Sequence, residues 1–179
     1  MNSKVWMVAS LVIICLLSAF ALSKVYLVTQ PRIEKQKREA VNIALSQVLP
    51  QADSFKPVIP DTLWYGLDKN GNKVGIVIKV TPRGYGGTVE TLVGLNMEKK
   101  VTGIRIASPA EGLHETPGLG LKSRNPDFRN QFKGKTATEI RLKRDGGTID
   151  AISAATITSR AVTEGVRKGI EKYSKYLKP

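Results

Sequence analysis

The sequence predicts an α+β protein: an apolar N-terminal helix, a stalk helix, and a domain made of an antiparallel sheet and a C-terminal helix. Three observations predict it. Residues 5–23 carry no charge. Two pairs of apolar-alternating runs flank short turns between residues 62 and 108. Near the other end Val162, Val166, Ile170, Tyr173 and Leu177 recur at helical steps of three and four. The units implied are residues 1–28 as a single transmembrane anchor, 29–49 as the stalk, and 50–179 as the folded domain.

The anchor comes first. At 1.5 Å per residue, residues 5–23 span roughly 28 Å, close to the hydrocarbon thickness of a bilayer. Trp6 and Tyr26 sit near its ends, where aromatic side chains favour the interface. Ala19-Phe20-Ala21 has the form of a signal-peptidase site. The apolar run is longer than a usual signal core and resumes at Val25-Tyr26-Leu27-Val28, which favours a retained anchor. Arg32, Lys35, Lys37 and Arg38 follow it, and a strict positive-inside count keeps that side cytoplasmic. Long domains are exported against such a bias, so the residues alone leave the orientation open.

Pro31 suits the first turn of a helix. Ile33, Gln36, Ala40, Val41, Ala44, Leu45 and Val48 then form an apolar stripe that ends at Pro50. Residues 50–61, with three prolines, read as a loop. Residues 62–67 and 74–81 flank Asn70-Gly71, a hairpin turn signal. Residues 88–95 and 101–108 give a second hairpin, with one buried face expected. Between the hairpins, residues 82–87 are glycine-rich. Residues 109–121 form a loop interrupted by Gly112, Pro117, Gly118 and Gly120. A short helix is expected from Asn125 to Phe132 and a further strand over 138–143.

Composition narrows the function. The formal net charge is +13 and the pI about 10, which invites an acidic partner. No zinc-finger spacing or RNA-binding aromatic motif accompanies it, so nucleic acid is not the expected partner. Cys15, in the apolar run, is the only cysteine, which removes disulfides and cysteine-ligated metal. His114 is the only histidine, and there is no G-x-S-x-G elbow. No metal site and no independent catalytic residue are expected.

The chemistry-bearing stretch is Asp150-Ala151-Ile152-Ser153-Ala154-Ala155-Thr156-Ile157-Thr158-Ser159, which runs straight into the last helical pattern. Thr158 or Ser159 is the expected N-cap. A helix start offers unpaired N–H groups and a partial positive charge, which favour an anion, phosphate above all. Ser153, Ala154 and Ala155 are small enough to let a large ligand approach the backbone.

This stretch resembles the flavinylation motif D-x-x-S-G-A-T-x-T-S of the FMN-binding domain family. In that family a flavin transferase attaches FMN to the threonine after the alanine through a phosphoester. By position that threonine is Thr156. Asp150, Ser153, Ala155, Thr158 and Ser159 also match. Ala154 stands where the family usually has glycine. If the glycine serves a positive φ, Ala154 is strained; if it serves smallness, alanine is the mildest replacement. Four further segments resemble the same family in order: Gly84-Tyr85-Gly86-Gly87, Leu92 to Leu95, Val101 to Ile104, and His114-Glu115-Thr116-Pro117-Gly118-Leu119-Gly120. Phe132 to Lys135 adds to them. The resemblance covers about residues 31–175. It is nearest to the G subunits of the Rnf-type membrane ferredoxin–NAD oxidoreductase, with NqrC subunits of the sodium-pumping NADH:quinone oxidoreductase as the near alternative.

The resemblance implies an electron-carrying subunit of an ion-translocating oxidoreductase, with covalent FMN on Thr156; the alternatives are a membrane-tethered module that binds a free phosphate or carboxylate at the helix start, and a structural assembly subunit whose flavin site has lapsed through Ala154. Its implied partners are the flavin-bearing D-like and iron–sulfur-bearing A- and E-like subunits of the complex, the flavin transferase during maturation, and the lipid bilayer. The implied location is the inner or plasma membrane, with the domain on the periplasmic or outer side. The segment from Glu115 to Gly120 lets the main chain lie against a flat ring, with backbone N–H groups and the Thr116 hydroxyl as donors. Glu115 either orients Thr116, contacts the ribityl chain, or is a solvated charge. Tyr85 and Trp64 either stack on the ring or belong to the core. Leu119 and Leu121 pack on core or ring, and His114 is a surface or packed histidine before it is a proton carrier. The last helix, with Arg160, Arg167, Lys168, Lys172, Lys175 and Lys178, faces anionic headgroups, an acidic subunit, or plain water.

Overall fold

The computed structural model describes residues 3–177. A single helix, α1, runs over Ser3–Val48. The chain divides into two compact units between Val41 and Asn42.

In the first unit the apolar side chains of α1 from Val5 to Val28 are exposed. Among the described residues, α1 is the one helix long and apolar enough to cross a membrane. Pro31 lies inside it and does not open a second helix. The proline withholds one intrahelical hydrogen bond, and the helical ladder continues on both sides.

The second unit is built on a five-stranded antiparallel meander in the order β1-β2-β3-β4-β5. The strands are β1 Ser54–Ile59, β2 Leu63–Leu67, β3 Lys73–Val80, β4 Thr91–Asn96 and β5 Val101–Ile106. The expected hairpins are β2–β3, around Asn70-Gly71, and β4–β5. Asp68 organises the first turn, accepting N–H bonds from Asn70 and Asn72 at 2.8 Å each. β1 falls where a loop was expected. It is an edge strand, so Pro57 can stand in it opposite Trp64 without removing a bond from an inner ladder.

Residues 138–143 form no strand. Ile140 and Leu142 alternate because both point into the core from an irregular segment. Its one bridge is Leu142 to Ile149.

Both faces of the sheet are covered, against the expectation of one buried face. Ile76 and Ile78 of β3 face the main core with Leu63, Val93, Leu95 and Phe132. A short helix α2, Pro126–Arg129, and a long helix α3, Thr156–Tyr173, close this side. α3 contributes Val162, Val166 and Ile170, the predicted stripe. Val77, from the same strand, points the other way, to Leu45, Val48, Leu49 and Trp64. The last turns of α1, from Asn42 on, therefore form the second layer of this unit.

A close approach makes that layer possible. A Cβ on Gly94 would collide with the Val48 carbonyl. That carbonyl, at the end of α1 and without a helical partner, accepts the Thr102 hydroxyl instead.

Candidate functional site

Three loops and one helix start meet on the α3 side of the sheet. The first loop is a tight turn in which Gly84 N–H donates to Gly87 O at 2.7 Å and Arg83 bridges Thr88. It projects Tyr85 outward, 72% exposed. The second is residues 114–121, where the N–H groups of Leu119 and Leu121 both donate to Thr116 O at 3.2 Å. The third is residues 150–155, leading into α3.

Between them lies a cavity of about 510 Å³ lined by Tyr85, Glu115, Thr116, Leu119, Gly120, Ala154, Ala155, Thr156, Ile157 and Thr158. The volume falls within the range typical of small-molecule sites, roughly 300–1,000 Å³. Tyr85, Leu119 and Ile157 are exposed apolar side chains beside it. All of these lining residues except Ile157 were singled out in the sequence. Gly118, Ser153, Asp150 and Ser159 do not line the cavity. Ile157 was missed. Its signal was an isoleucine in a run otherwise made of small and hydroxyl residues.

The helix start differs from expectation. α3 begins at Thr156 with Ala155 as its N-cap, and no side chain caps it. Thr158 and Ser159 sit inside the first turn and are committed elsewhere. Thr158 Oγ1 donates to Glu115 Oε2 at 2.8 Å. Ser159 Oγ donates to Ala155 O and accepts from Ile152 N–H, both at 2.9 Å. Thr156, by contrast, is half-buried, lines the cavity, and its hydroxyl has no hydrogen-bond partner among the described residues. An uncapped helix start beside a free hydroxyl is suited to a phosphate group.

Ala154 has φ +60°, in the left-handed region. The glycine expected there thus serves a positive φ, and alanine is strained by about 1–2 kcal/mol relative to an ordinary conformation.

Glu115 is neither a solvated charge nor a partner of Thr116. It is 6% exposed. Besides Thr158, it accepts Gly86 N–H on Oε1 at 3.2 Å. Glycine makes this possible, since a Cβ on Gly84 or Gly120 would strike the carboxylate. Gly86 itself lies against the His114 carbonyl. The His114 side chain is exposed and outside the cavity. Trp64 is buried in the α1-side core, so it cannot stack on a ligand here, and Tyr85 is the aromatic at the site. Leu121 packs against the main core. Asp150 is exposed, pairs with Lys143 at 2.7 Å, and its backbone N–H donates to the Gln131 side chain at 2.6 Å. Its place is the outer support of the loop.

A larger groove of about 790 Å³ lies between β3 and α3. Its charges are largely satisfied internally. Lys79 lies 3.5 Å from Glu90 and Lys168 lies 3.7 Å from Glu164. The basic side chains of α3 are also engaged within the chain: Arg160 forks onto Asp145 and Arg167 pairs with Glu171. Lys172 lies over the Tyr173 ring, and Lys175 over Tyr176. Lys178 lies outside the described residues. This pairing favours the plain solvated reading of that helix face.

The fold and the cavity match one class. Residues 84–171 match the family described as the FMN-binding domain, and the apolar walls and free helix start suit that cofactor. Two solved structures share the fold. NqrC from Shewanella oneidensis has a TM-score of 0.52 at 22% identity, covering 64% of this chain and 58% of that one. The C subunit of the Na(+)-translocating NADH-quinone reductase from Parabacteroides distasonis has a TM-score of 0.51 at 23% identity, covering 65% and 62%.

Relatives matched along nearly the whole chain narrow the family. The G subunit of the proton-translocating ferredoxin:NAD(+) oxidoreductase complex of Clostridium ljungdahlii is 33% identical, over 98% of this chain and 94% of that protein. The G subunit of the ion-translocating oxidoreductase complex of Methanosarcina acetivorans is 32% identical, over 93% of each. Its counterpart in the Na(+)-translocating ferredoxin:NAD(+) oxidoreductase complex of Acetobacterium woodii is 34% identical, over 91% and 88%. The chain belongs to the family of G subunits of ion-translocating oxidoreductase complexes.

Proposed function

We propose that this chain is the membrane-anchored electron-carrying subunit of an Rnf-type ion-translocating oxidoreductase, and that it holds FMN covalently on Thr156. The observation that carries the attachment is the state of the motif's hydroxyls. Thr158 and Ser159 are buried and bonded, Ser153 lies outside the cavity, and Thr156 lines it with a free hydroxyl beside an uncapped helix start.

The bound flavin supplies one-electron redox chemistry. The chain's own residues do the rest. Thr156 Oγ1 would form the ester bond to phosphorus. An unactivated phosphate monoester would not react, so the donor carries the flavin phosphate as an anhydride. The anhydride P–O bond would break as the ester forms, the second nucleotide of the anhydride would leave, and the hydroxyl proton would go to solvent or to the transferase. The N–H groups of the first turn of α3, which no side chain caps, would hold the phosphate. Tyr85, Leu119 and Ile157 line the cavity and would pack on the ring. Thr116 and the backbone of residues 116–120 offer donors to its polar edge.

Turnover belongs to the complex, whose flavin- and iron–sulfur-bearing subunits are the electron donors and acceptors. The domain lies on the periplasmic or outer side, where a covalent tether prevents loss of a cofactor that could not be replaced. The Rnf-type reading is better supported than the NqrC alternative, because the first two G subunits are 33% and 32% identical over 94% and 93% of their length, while the solved NqrC structures share the fold at 22% and 23% identity.

The test is a denaturing gel under ultraviolet light, with the chain co-expressed with a flavin transferase. A fluorescent band that disappears in Thr156→Val is expected. A dark wild-type band contradicts the proposal.

A further inference from the structure

Glu115 is the one charged side chain among the buried residues described. Among the described residues no Lys, Arg or His lies within ion-pair distance of it. Its two oxygens accept one bond each, from the Thr158 hydroxyl at 2.8 Å and from Gly86 N–H at 3.2 Å. A Cβ on Gly84 or Gly120 would strike its carboxylate oxygens. It is 6% exposed and lines the cavity.

A buried carboxylate without a counter-ion is costly, and two donors satisfy only part of its capacity. A neutral side chain could join the same two loops at lower cost. A carboxyl group placed at this cost in the wall of a ligand cavity suits a functional role. We propose, resting on the flavin reading above, that the fixed negative charge of Glu115 lowers the reduction potential of the flavin held there.

The physical argument is one of sign. An electron enters from a reduced iron–sulfur centre of a sister subunit and leaves to an oxidised acceptor, so the carrier returns to its starting charge. While the electron resides in the cavity it adds negative charge beside a carboxylate that cannot move away. Glu115 is 6% exposed, and a buried charge is screened less than a surface one. The reduced state is disfavoured and becomes a stronger donor. Thr158 and Gly86 moderate the effect by directing donors at the same carboxylate.

The experiment is a spectroelectrochemical titration of the full-length, flavin-loaded chain in detergent, followed by flavin absorbance. Glu115→Gln keeps the shape between Gly84 and Gly120 and removes the charge. It is expected to raise the midpoint by at least about 59 mV, a tenfold change in a one-electron equilibrium. Thr158→Val removes one donor to the carboxylate at nearly constant shape and is expected to lower the midpoint. A flavin-loaded Glu115→Gln chain with an unchanged or lowered midpoint overturns the proposal. So does a rise in both variants, which marks lost shape rather than lost charge. If Glu115→Gln takes up no flavin, Thr158→Val decides alone: a fall supports the proposal, and no change or a rise overturns it. A wild-type chain without a fluorescent band contradicts the flavin reading itself and is told apart on the gel.

Discussion

The Thr158 hydroxyl donates to the Glu115 carboxylate at 2.8 Å across 43 residues of chain. This bond joins the proline–glycine loop to the first turn of α3, the two walls of the cavity. A hydrogen bond to a charged group contributes about 1.5–3 kcal/mol, and its loss here leaves a buried carboxylate with one donor. Thr158→Val is therefore expected to destabilise the folded domain by about 2 kcal/mol, read from a denaturant titration of the full chain in detergent. A loss within about 0.5 kcal/mol, the usual range for plain surface changes, would mean that the bond does not hold the walls together.

Ala154 offers the opposite experiment. It is exposed and sits at φ +60°. Glycine would relieve roughly 1–2 kcal/mol of left-handed strain. It would add back about 0.5–1 kcal/mol of chain entropy. Ala154→Gly is expected to stabilise the domain by about 0.5–1 kcal/mol and to keep flavin attachment. A lower melting temperature would contradict the strain argument.

On the far side of the sheet the close approach is at Gly94. A Cβ there meets the Val48 carbonyl, which is backbone and cannot step aside. Gly94→Ala is expected to cost about 2–3 kcal/mol by overpacking. It should also increase hydrogen exchange at Leu45, Val48 and Leu49, whose layer is lifted. Unchanged exchange in that segment would show that the last turns of α1 are not seated on the sheet.

One carboxylate gives a pH dependence with a defined sign. Burial pushes the Glu111 carboxyl up, but the Arg105 guanidinium and the Ser108 N–H and hydroxyl outweigh it and leave it below its ordinary value of 4.5. Arg105 lies 2.6 Å from it. Because the folded value is the lower one, this contribution is complete above pH 4.5 and fades as pH falls through the folded value. Glu111→Gln should therefore lower the melting temperature at about pH 6 by a small amount, and the difference from wild type should shrink below pH 4.5. A difference that grew on acidification would reverse the assignment.

The hairpins were legible in the sequence because alternation and Asn70-Gly71 are local signals. α3 was legible because its buried stripe is periodic. β1 was not, since Pro57 and its polar neighbours read as loop until an edge position makes the proline harmless. The expected strand at 138–143 failed because Ile140 and Leu142 alternate toward the core without a ladder partner. At the site, the motif and the segment from Glu115 to Gly120 carry most of the lining residues, while the N-cap lies three or four residues before the expected Thr158 or Ser159, at Ala155. Hydroxyls at 158 and 159 look like caps, and nothing local shows that Glu115 and Ala155 claim them. The burial of Glu115 was invisible for the same reason: its enclosure comes from Gly84 and Gly86, about 30 residues upstream, and from Gly120.

The most direct test of the central claim is peptide-resolved mass spectrometry of the chain extracted from membranes that contain a flavin transferase. The expected result is one FMN phosphoester per chain, located on Thr156, and none in Thr156→Val. An unmodified Thr156, or the same mass addition on Thr158 or Ser159, would contradict it.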